Sequence, residues 1–306
     1  MGLLRCGGDM SRPSPRESRE ELGDSDLGLD LLLRQLREEL GLNLKQYKPN
    51  YLKRRIGVRM RATGCTDYLQ YRQCIRQDPE ESRRLINDLT INVTEFFRDQ
   101  DVYEVIRSRV IPEILDYKKE NRIHSLRAWS AGCATGEEPY SLSILFLNAL
   151  KKKGGPEQWS VRITATDLDD KVLQRAKAGR YDIVQLLPGI ALEDYFLQDG
   201  GQYAVKEEVK RPVRFLLLDI MKPPPLRHLD LILCRNVLIY FERGKQGRIL
   251  DIFNRCLRRG GFLVLGKSEA IISAGESGFT PYRRRERVYL KESDAEEGAL
   301  SGPARR

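Results

Sequence analysis

Histidine is almost missing from this chain: only His124 and His228 occur among 306 residues. That argues against a histidine-rich metal site and against a triad built on imidazole. Cysteine occurs at 6, 65, 74, 133, 234 and 256, never as C-x-x-C and never at a metal-type spacing. The pattern speaks against a disulfide framework and for a reducing compartment. No apolar run approaches the ~20 residues of a membrane helix. The opening MGLLRCGGDMSRPSPRES lacks the apolar core of a secretion signal, and Cys6 stands where a myristoylation pattern requires Ser or Thr. A cytoplasmic protein without membrane insertion is expected.

Charge is what the chain has in quantity. Lys and Arg number 53 against 44 Asp and Glu, a net +9 in a soluble globular composition long enough to bury a core without staples. Residues 1–26 are rich in Gly, Ser, Pro and charge, residues 291–306 read alike, and both are expected to be flexible tails. Over 27–90 the apolar spacing is helical. Leu29, Leu32, Leu33, Leu36 and Leu40 share a face before Gly41, and Leu52, Ile56 and Met60 follow Pro49. Thr66 opens a third stretch through Tyr68, Leu69 and Ile75, and Asp78-Pro79 starts a fourth that turns Leu85, Ile86 and Leu89 inward.

After a longer helix from Asp101 to about Tyr117 the rhythm changes. Strands LRAWSAG (126–132), VRITATD (161–167), DLILCRN (230–236), GFLVLG (261–266) and RVYL (287–290) alternate with helices over 138–150, 169–179 and 246–257. This predicts an α/β domain over 91–290, a mostly parallel sheet with helices on both faces. The stretch 181–214 breaks the alternation and carries the turn signal DGGQYAV, which suggests a small β insertion.

Four segments could carry chemistry. In SAGCATGEEPYS, Gly132 and Gly136 allow a ligand to approach the backbone after the first strand, but the G-x-G-x-x-G fingerprint is absent. Glu137 and Glu138 then open a helix, where they would repel a pyrophosphate and favour a cation; equally, glutamates simply suit a helix N-terminus. Asp167 ends the second strand, the place of an acid that bonds ribose hydroxyls, or else caps the next helix. Together the acids point to a nucleoside with a positively charged appendage, which describes S-adenosylmethionine. NDLTINVTEFFRD (87–99) sets Asn92, Thr94 and Arg98 around Phe96 and Phe97, as a clamp over a ligand or an ordinary capped connection. LILCRNVLIYF puts Arg235 and Asn236 at a strand's C-terminal end with Tyr240 close behind; the plainer reading pairs Arg235 with a surface acid.

NVTEFFRD, AGCATGEEPYS, ATDLD and CRNVLIYF, in this order and followed by GKSEA (266–270), closely resemble the CheR-type chemotaxis receptor methyltransferases, from about Leu29 to Leu290. The resemblance implies a small all-helical N-terminal domain, then a Rossmann-like methyltransferase domain with a small β-subdomain. It implies methyl transfer from S-adenosylmethionine to glutamate side chains of chemoreceptors, leaving S-adenosylhomocysteine and using no metal. It assigns Asn92, Thr94, Arg98 and Gly132 to the cofactor, Glu137 to its methionyl amino group, Asp167 to its ribose, and Arg235 and Asn236 to the same site. The adenine-side pair, usually Asn-Leu in the family, corresponds to Asp219 and Ile220; Asp accepts a bond from an adenine amino group but cannot donate one. The 181–214 region is short for the form that docks a receptor's C-terminal peptide, so such tethering is not expected.

A glutamate with a pKa of ~4.3 is already ionised at neutral pH, so this reaction needs no general base, and the scarcity of histidine is compatible with an enzyme. Tyr240 is the candidate for orienting the substrate carboxylate, with Arg98 beside it in the catalytic set. KQYKPNYLKRRIGVRMR (45–61) contains seven basic residues and no acid. On a helix Arg54 lies above Arg61 and Arg55 above Arg59, and with Lys53 they form basic ridges suited to the acidic helical region of a receptor. Two rivals stand: a non-catalytic S-adenosylmethionine-binding sensor or adaptor, and a nucleic-acid methyltransferase. Against the second, Lys222-Pro223-Pro224-Pro225 lacks the aromatic of an amino-methylating motif, and no nucleic acid partner is expected.

Overall fold

The computed structural model of the protein describes residues 17–40, 44–89, 94–151, 155, 158–271 and 278–292, with side chains from Leu27 onward. Asn92 and Gly41 lie outside the described residues. The chain divides into two compact units, residues 1–89 and 90–306.

The first unit is helical: α1 (Glu17–Leu40), α2 (Pro49–Thr63), α3 (Tyr68–Gln77) and α4 (Pro79–Leu89). Helix α1 begins at Glu17, inside the stretch expected to be a flexible tail. Its first residues, ESREEL, follow the last proline of the segment and are strong helix formers with acids at the N-terminal end. Gly64, at φ 72°, closes α2 in the left-handed conformation, its N–H bonded to the Arg61 carbonyl. The cap of α3 is Asp67 rather than Thr66, accepting from the Gln70 N–H at 2.8 Å. Leu32, Leu36, Leu52, Ile56, Tyr71, Ile75 and Leu85 form the core, whereas Leu69 is exposed.

One carboxylate lies inside this unit. Glu81 is fully buried. Arg59 of α2 holds it with Nε to Oε1 at 2.9 Å and Nη2 to Oε2 at 2.6 Å, and the Tyr71 hydroxyl donates at 2.8 Å. Burial alone would raise the Glu81 carboxyl, but the bonds from Arg59 and Tyr71 outweigh it and hold the group below the usual range.

The second unit starts with α5 (Gln100–Val105) and α6 (Ile111–Glu120), joined without a break by a wider turn over Ile106–Val110. The wide turn precedes Pro112, which has no N–H to continue the α-helical ladder. There follow β1 (Ser125–Ala131), α7 (Glu137–Lys151), β2 (Ser160–Asp167), α8 (Asp170–Ala178), β3 (Arg180–Tyr181), α9 (Leu192–Tyr195), β4 (Phe196–Asp199), β5 (Gln202–Val205) and α10 (Glu207–Lys210). The chain continues through β6 (Val213–Leu217), β7 (Leu229–Cys234), α11 (Arg243–Cys256), β8 (Leu257–Leu265), β9 (Phe279–Arg283) and β10 (Val288–Lys291).

Seven strands form one sheet in the order β6-β2-β1-β7-β8-β10-β9. The first five run parallel, β10 runs antiparallel to β8, and β9 runs antiparallel to β10. Two strands, β6 and β9, are additions to the sequence reading. β6 begins at the end of the expected insertion, 181–214, and pairs with β2 from Ile163↔Val213 to Asp167↔Leu217 as an edge strand. The insertion keeps its own sheet, β3-β5-β4, with Gly200 and Gly201 at positive φ making the β4–β5 turn. Lys291, expected in the tail, is a buried strand residue whose Nζ donates to the Asn254 and Leu257 carbonyls at 2.7 and 3.0 Å.

The chain runs from β1 through α7 to β2 and on to the edge strand β6, then crosses back to β7 on the other side of β1. That reversal opens the ligand crevice beyond the C-terminal ends of β1 and β7. No helix among the described residues is long and apolar enough to cross a membrane.

The first unit yields a stability prediction. Arg59→Ala strands a buried carboxylate and is expected to cost about 3 kcal/mol. The lowered Glu81 carboxyl gives stability that is present above the ordinary glutamate pKa of ~4.3 and lost as the pH falls through its folded value. Urea unfolding at pH 7 and pH 3 checks this: the variant's deficit should shrink at pH 3. A deficit equal at both pH values would show that Arg59 packs there without balancing Glu81.

Candidate functional site

The crevice is lined by three chain crossings at the strand ends. The first is the turn between β1 and α7. The Gly132 and Cys133 N–H groups both donate to the Thr166 carbonyl, at 2.8 and 2.9 Å, so the turn folds across the end of β2. Gly132 has φ 78°, and a Cβ there would lie 2.5 Å from a Val237 methyl. Gly136 has φ 98°, and its Cβ would meet Ala176 at 2.9 Å and the Tyr181 hydroxyl at 3.0 Å. Backbone must therefore pass where no side chain fits. The Tyr181 hydroxyl, from β3, donates to the Thr135 carbonyl at 2.7 Å and ties the insertion to this turn.

The acids stand around that turn. Asp167 Oδ2 accepts the Ala134 N–H at 2.9 Å and Oδ1 accepts the Asp169 N–H at 3.1 Å; the α8 cap is Asp169, not Asp167. Burial raises the Asp167 carboxyl, against the pull of these N–H groups. Glu137 accepts from Thr135 Oγ1 at 2.7 Å and is likewise raised by burial. Glu138 is buried more deeply. Ser130 Oγ donates to it at 2.7 Å, and burial pushes its carboxyl up to about 7 against the nearby charges of Arg235 and Arg98.

The second crossing is the 94–99 segment, which carries Thr94 and Arg98, both half-buried. Phe96 packs edge-on against Tyr181 and Phe196 at centroid distances of 4.8 and 5.1 Å. The Phe97 N–H donates to Ser141 Oγ of α7 at 3.0 Å. Asp99 forms an ion pair with Arg235. The apolar pair is thus the anchor that sets the polar residues at the crevice.

The third crossing leaves β7. Arg235 is buried, with its guanidinium 5.3 Å from the Tyr103 ring centroid and its Nε without a hydrogen-bond partner. Asn236 sits at φ 61°, and its buried Oδ1 also has no partner. Glu269, just past β8, accepts the N–H groups of Gly266, Asn236 and Ile239 at 2.6, 3.0 and 3.3 Å and locks this turn to the next. Tyr240 ends a single tight turn over Leu238–Tyr240 and is half-buried. Beyond β6, Asp219 Oδ1 accepts the Met221 N–H at 2.9 Å, and Ile220 is buried. The Leu218 N–H donates to the Asp167 carbonyl at 2.9 Å, which sets this pair beside the end of β2.

Non-glycine residues at positive φ concentrate at these crossings: Phe97, Asp99, Ala134 and Asn236. Strain of this kind persists where surrounding contacts over-determine it, and it gathers at ligand sites. The buried set of Glu137, Glu138 and Asp167, with Arg98 and Arg235 opposite, suits a ligand that carries both positive and negative groups. The open Asn236 Oδ1 and the backbone cradle at Gly132 and Gly136 fit S-adenosylmethionine, and the acids would oppose a pyrophosphate. Glu138, Asp99, Ser130 and Glu269 were absent from the expected site set. The signal for Glu138 is the doubled glutamate: both favour a cation, but the resemblance assigns only Glu137 to the cofactor.

The basic residues of α2 divide by environment. Arg54 and Arg61 are exposed, and Lys53 and Arg55 are half-buried. Arg59, expected to contact substrate, is instead committed to Glu81 and Asp88.

Comparison with known proteins completes the picture. Residues 92–284 match the family model described as CheR methyltransferase, SAM binding domain, and residues 27–90 match CheR methyltransferase, all-alpha domain. A chemotaxis protein methyltransferase of Listeria innocua is 34% identical over 83% of this chain and 94% of its own length. Chemotaxis protein methyltransferase 1 of Pseudomonas aeruginosa is 36% identical over 77% of this chain and 87% of its own. A 104.1 kDa protein of Rhodobacter capsulatus is 35% identical over 81% of this chain, which spans only 26% of that larger protein. By both domains, and by relatives matched over nearly their full length, the chain belongs to the CheR methyltransferase family.

Proposed function

We propose that this protein is a cytoplasmic protein-glutamate O-methyltransferase that acts on the acidic helical region of chemoreceptors. The reading is carried by one observation: buried carboxylates and arginines converge on a glycine cradle at the strand ends of a CheR-family SAM binding domain. S-adenosylmethionine, when bound, supplies a methyl carbon that a glutamate oxygen takes as the carbon–sulfur bond breaks, leaving a methyl ester and S-adenosylhomocysteine.

The chain's own residues orient and exclude. Gly132 and Gly136 let backbone pass close to the ligand, Asp167 takes the ribose hydroxyls, and Asp219 and Ile220 flank the adenine. Glu137 and Glu138 offer negative charge to the methionyl ammonium and sulfonium, and Arg98 offers positive charge to the methionyl carboxylate. Asn236 Oδ1, an acceptor without a partner, gains one. Tyr240 orients the incoming carboxylate, which arrives ionised and needs no base. Alignment and a dry pocket are then the main sources of rate. On α2, Arg54, Arg55 and Arg61, with Lys53, are the receptor-facing cations, and Arg59 stays with Glu81.

Three outcomes test the reading. Tritiated methyl should enter a receptor cytoplasmic fragment as a base-labile glutamate ester; base-stable label on nucleic acid would favour the rival enzyme class. Asp167→Ala should weaken S-adenosylhomocysteine binding about ten- to a hundredfold in calorimetry, and an unchanged Kd would remove Asp167 from the site. Glu138 is protonated in the free protein below about pH 7. A cationic ligand favours its ionised form, so S-adenosylmethionine affinity should rise from pH 6 to 8 and then level. Glu138→Gln should flatten that rise, and a variant with the wild-type slope would assign the dependence to another group.

A further inference from the structure

The turn joining β9 to β10 reads Arg283-Arg284-Arg285-Glu286-Arg287. Hairpin turns are normally built from Gly, Asn and Asp, which reach positive φ cheaply. Here the positive-φ position is Arg287, at 56°. Backbone geometry alone therefore does not call for this composition. Strand β10 lies antiparallel to β8 with Val288 opposite Val264, which puts the turn at the same sheet edge as the crevice. It is held there firmly. The Leu265 N–H donates to the Arg287 carbonyl at 3.0 Å, and Arg287 Nε donates to the Lys267 carbonyl at 3.3 Å. Lys267 in turn pairs with Asp101 at 2.8 Å and approaches Asp99, the partner of Arg235. Arg283 lies over the Tyr282 ring at 4.8 Å. Arg284 and Arg285 are exposed and make no ion pair among the described residues.

We propose that this arginine turn is a docking point, on the catalytic unit itself, for carboxylates of the protein helix that presents the methylated glutamate. The inference rests on the function proposed above and adds the feature of substrate it selects. From β7 to the β9–β10 turn is two to three strand steps, about 10–14 Å. Along an α-helix the same span is about 7–9 residues, or two turns. The turn therefore favours substrate helices with acidic residues about two turns from the reactive glutamate. A protein helix suits it better than a phosphate surface, because Glu286 and the nearby Asp99 and Asp101 interrupt the positive field that a nucleic acid or anionic bilayer would want.

The test uses the full chain, S-adenosylmethionine and a receptor cytoplasmic fragment, comparing wild type with Arg284→Glu/Arg285→Glu and with Arg284→Lys/Arg285→Lys. The charge-reversed variant should raise KM for the fragment at least about fivefold at low salt, with a smaller change in kcat. The gap should narrow at high salt, and the lysine variant should stay near wild type, while S-adenosylhomocysteine affinity is unchanged in both. A KM within twofold of wild type overturns the docking point while leaving the parent function intact. A KM rise accompanied by lost S-adenosylhomocysteine affinity makes the turn structural. Weaker binding to phosphatidylglycerol vesicles or duplex DNA with KM unchanged assigns it to a phosphate surface. A wild-type protein that labels no fragment sinks the parent function, and this inference with it.

Discussion

A buried arginine organises the catalytic unit. Arg235 ends the central strand β7 with its charge met by Asp99 and Glu138 and its face on Tyr103. Each neighbour comes from a different piece of chain: Asp99 from the 94–99 segment, Glu138 from the start of α7, and Tyr103 from α5. An unpaired guanidinium at this depth would be costly, so the charge can be buried only if these pieces converge. Their convergence is the crevice. Glu269 does the same for the backbone, gathering N–H groups from the turns after β7 and β8 into one carboxylate.

The arrangement leaves a calculated incompleteness. Glu138 is buried far enough that its ordinary ionisation is suppressed, and Asn236 Oδ1 and Arg235 Nε lack partners. Polar groups in that condition raise the energy of the free protein and lower it on binding a ligand that satisfies them. A sulfonium-bearing amino acid joined to a nucleoside meets both needs. The positive-φ residues at Phe97, Ala134 and Asn236 belong to the same economy of strain, held by Ser141, Asp167 and Glu269 through single backbone bonds.

Arginine serves three distinct purposes in this chain, and environment decides among them. Arg235 is buried structure at a site, and Arg59 is half-buried structure away from it, clasping the buried Glu81. Arg284 and Arg285 are exposed on a turn that did not need them. The net +9 is therefore not one basic face: part of it is consumed internally, and the rest is displayed at defined places.

Much of this was legible from composition and spacing. The helical first unit, the alternation of strands and helices, and the placing of Gly132, Glu137, Asp167, Arg235 and Asn236 at strand ends follow from local periodicity and turn chemistry. These depend on neighbours a few residues away. What tertiary structure alone decided concerns partners distant in sequence. Val213–Leu217 became the edge strand β6 because β2 offered it a free ladder, not because of its own pattern. Arg59 left the docking set because Glu81, 22 residues on, lies buried against it. The scarcity of histidine argued against imidazole chemistry from the outset. Which carboxylates lie out of water was settled by the fold, which buries Glu138 beside Arg235, and a one-dimensional reading carries no measure of depth.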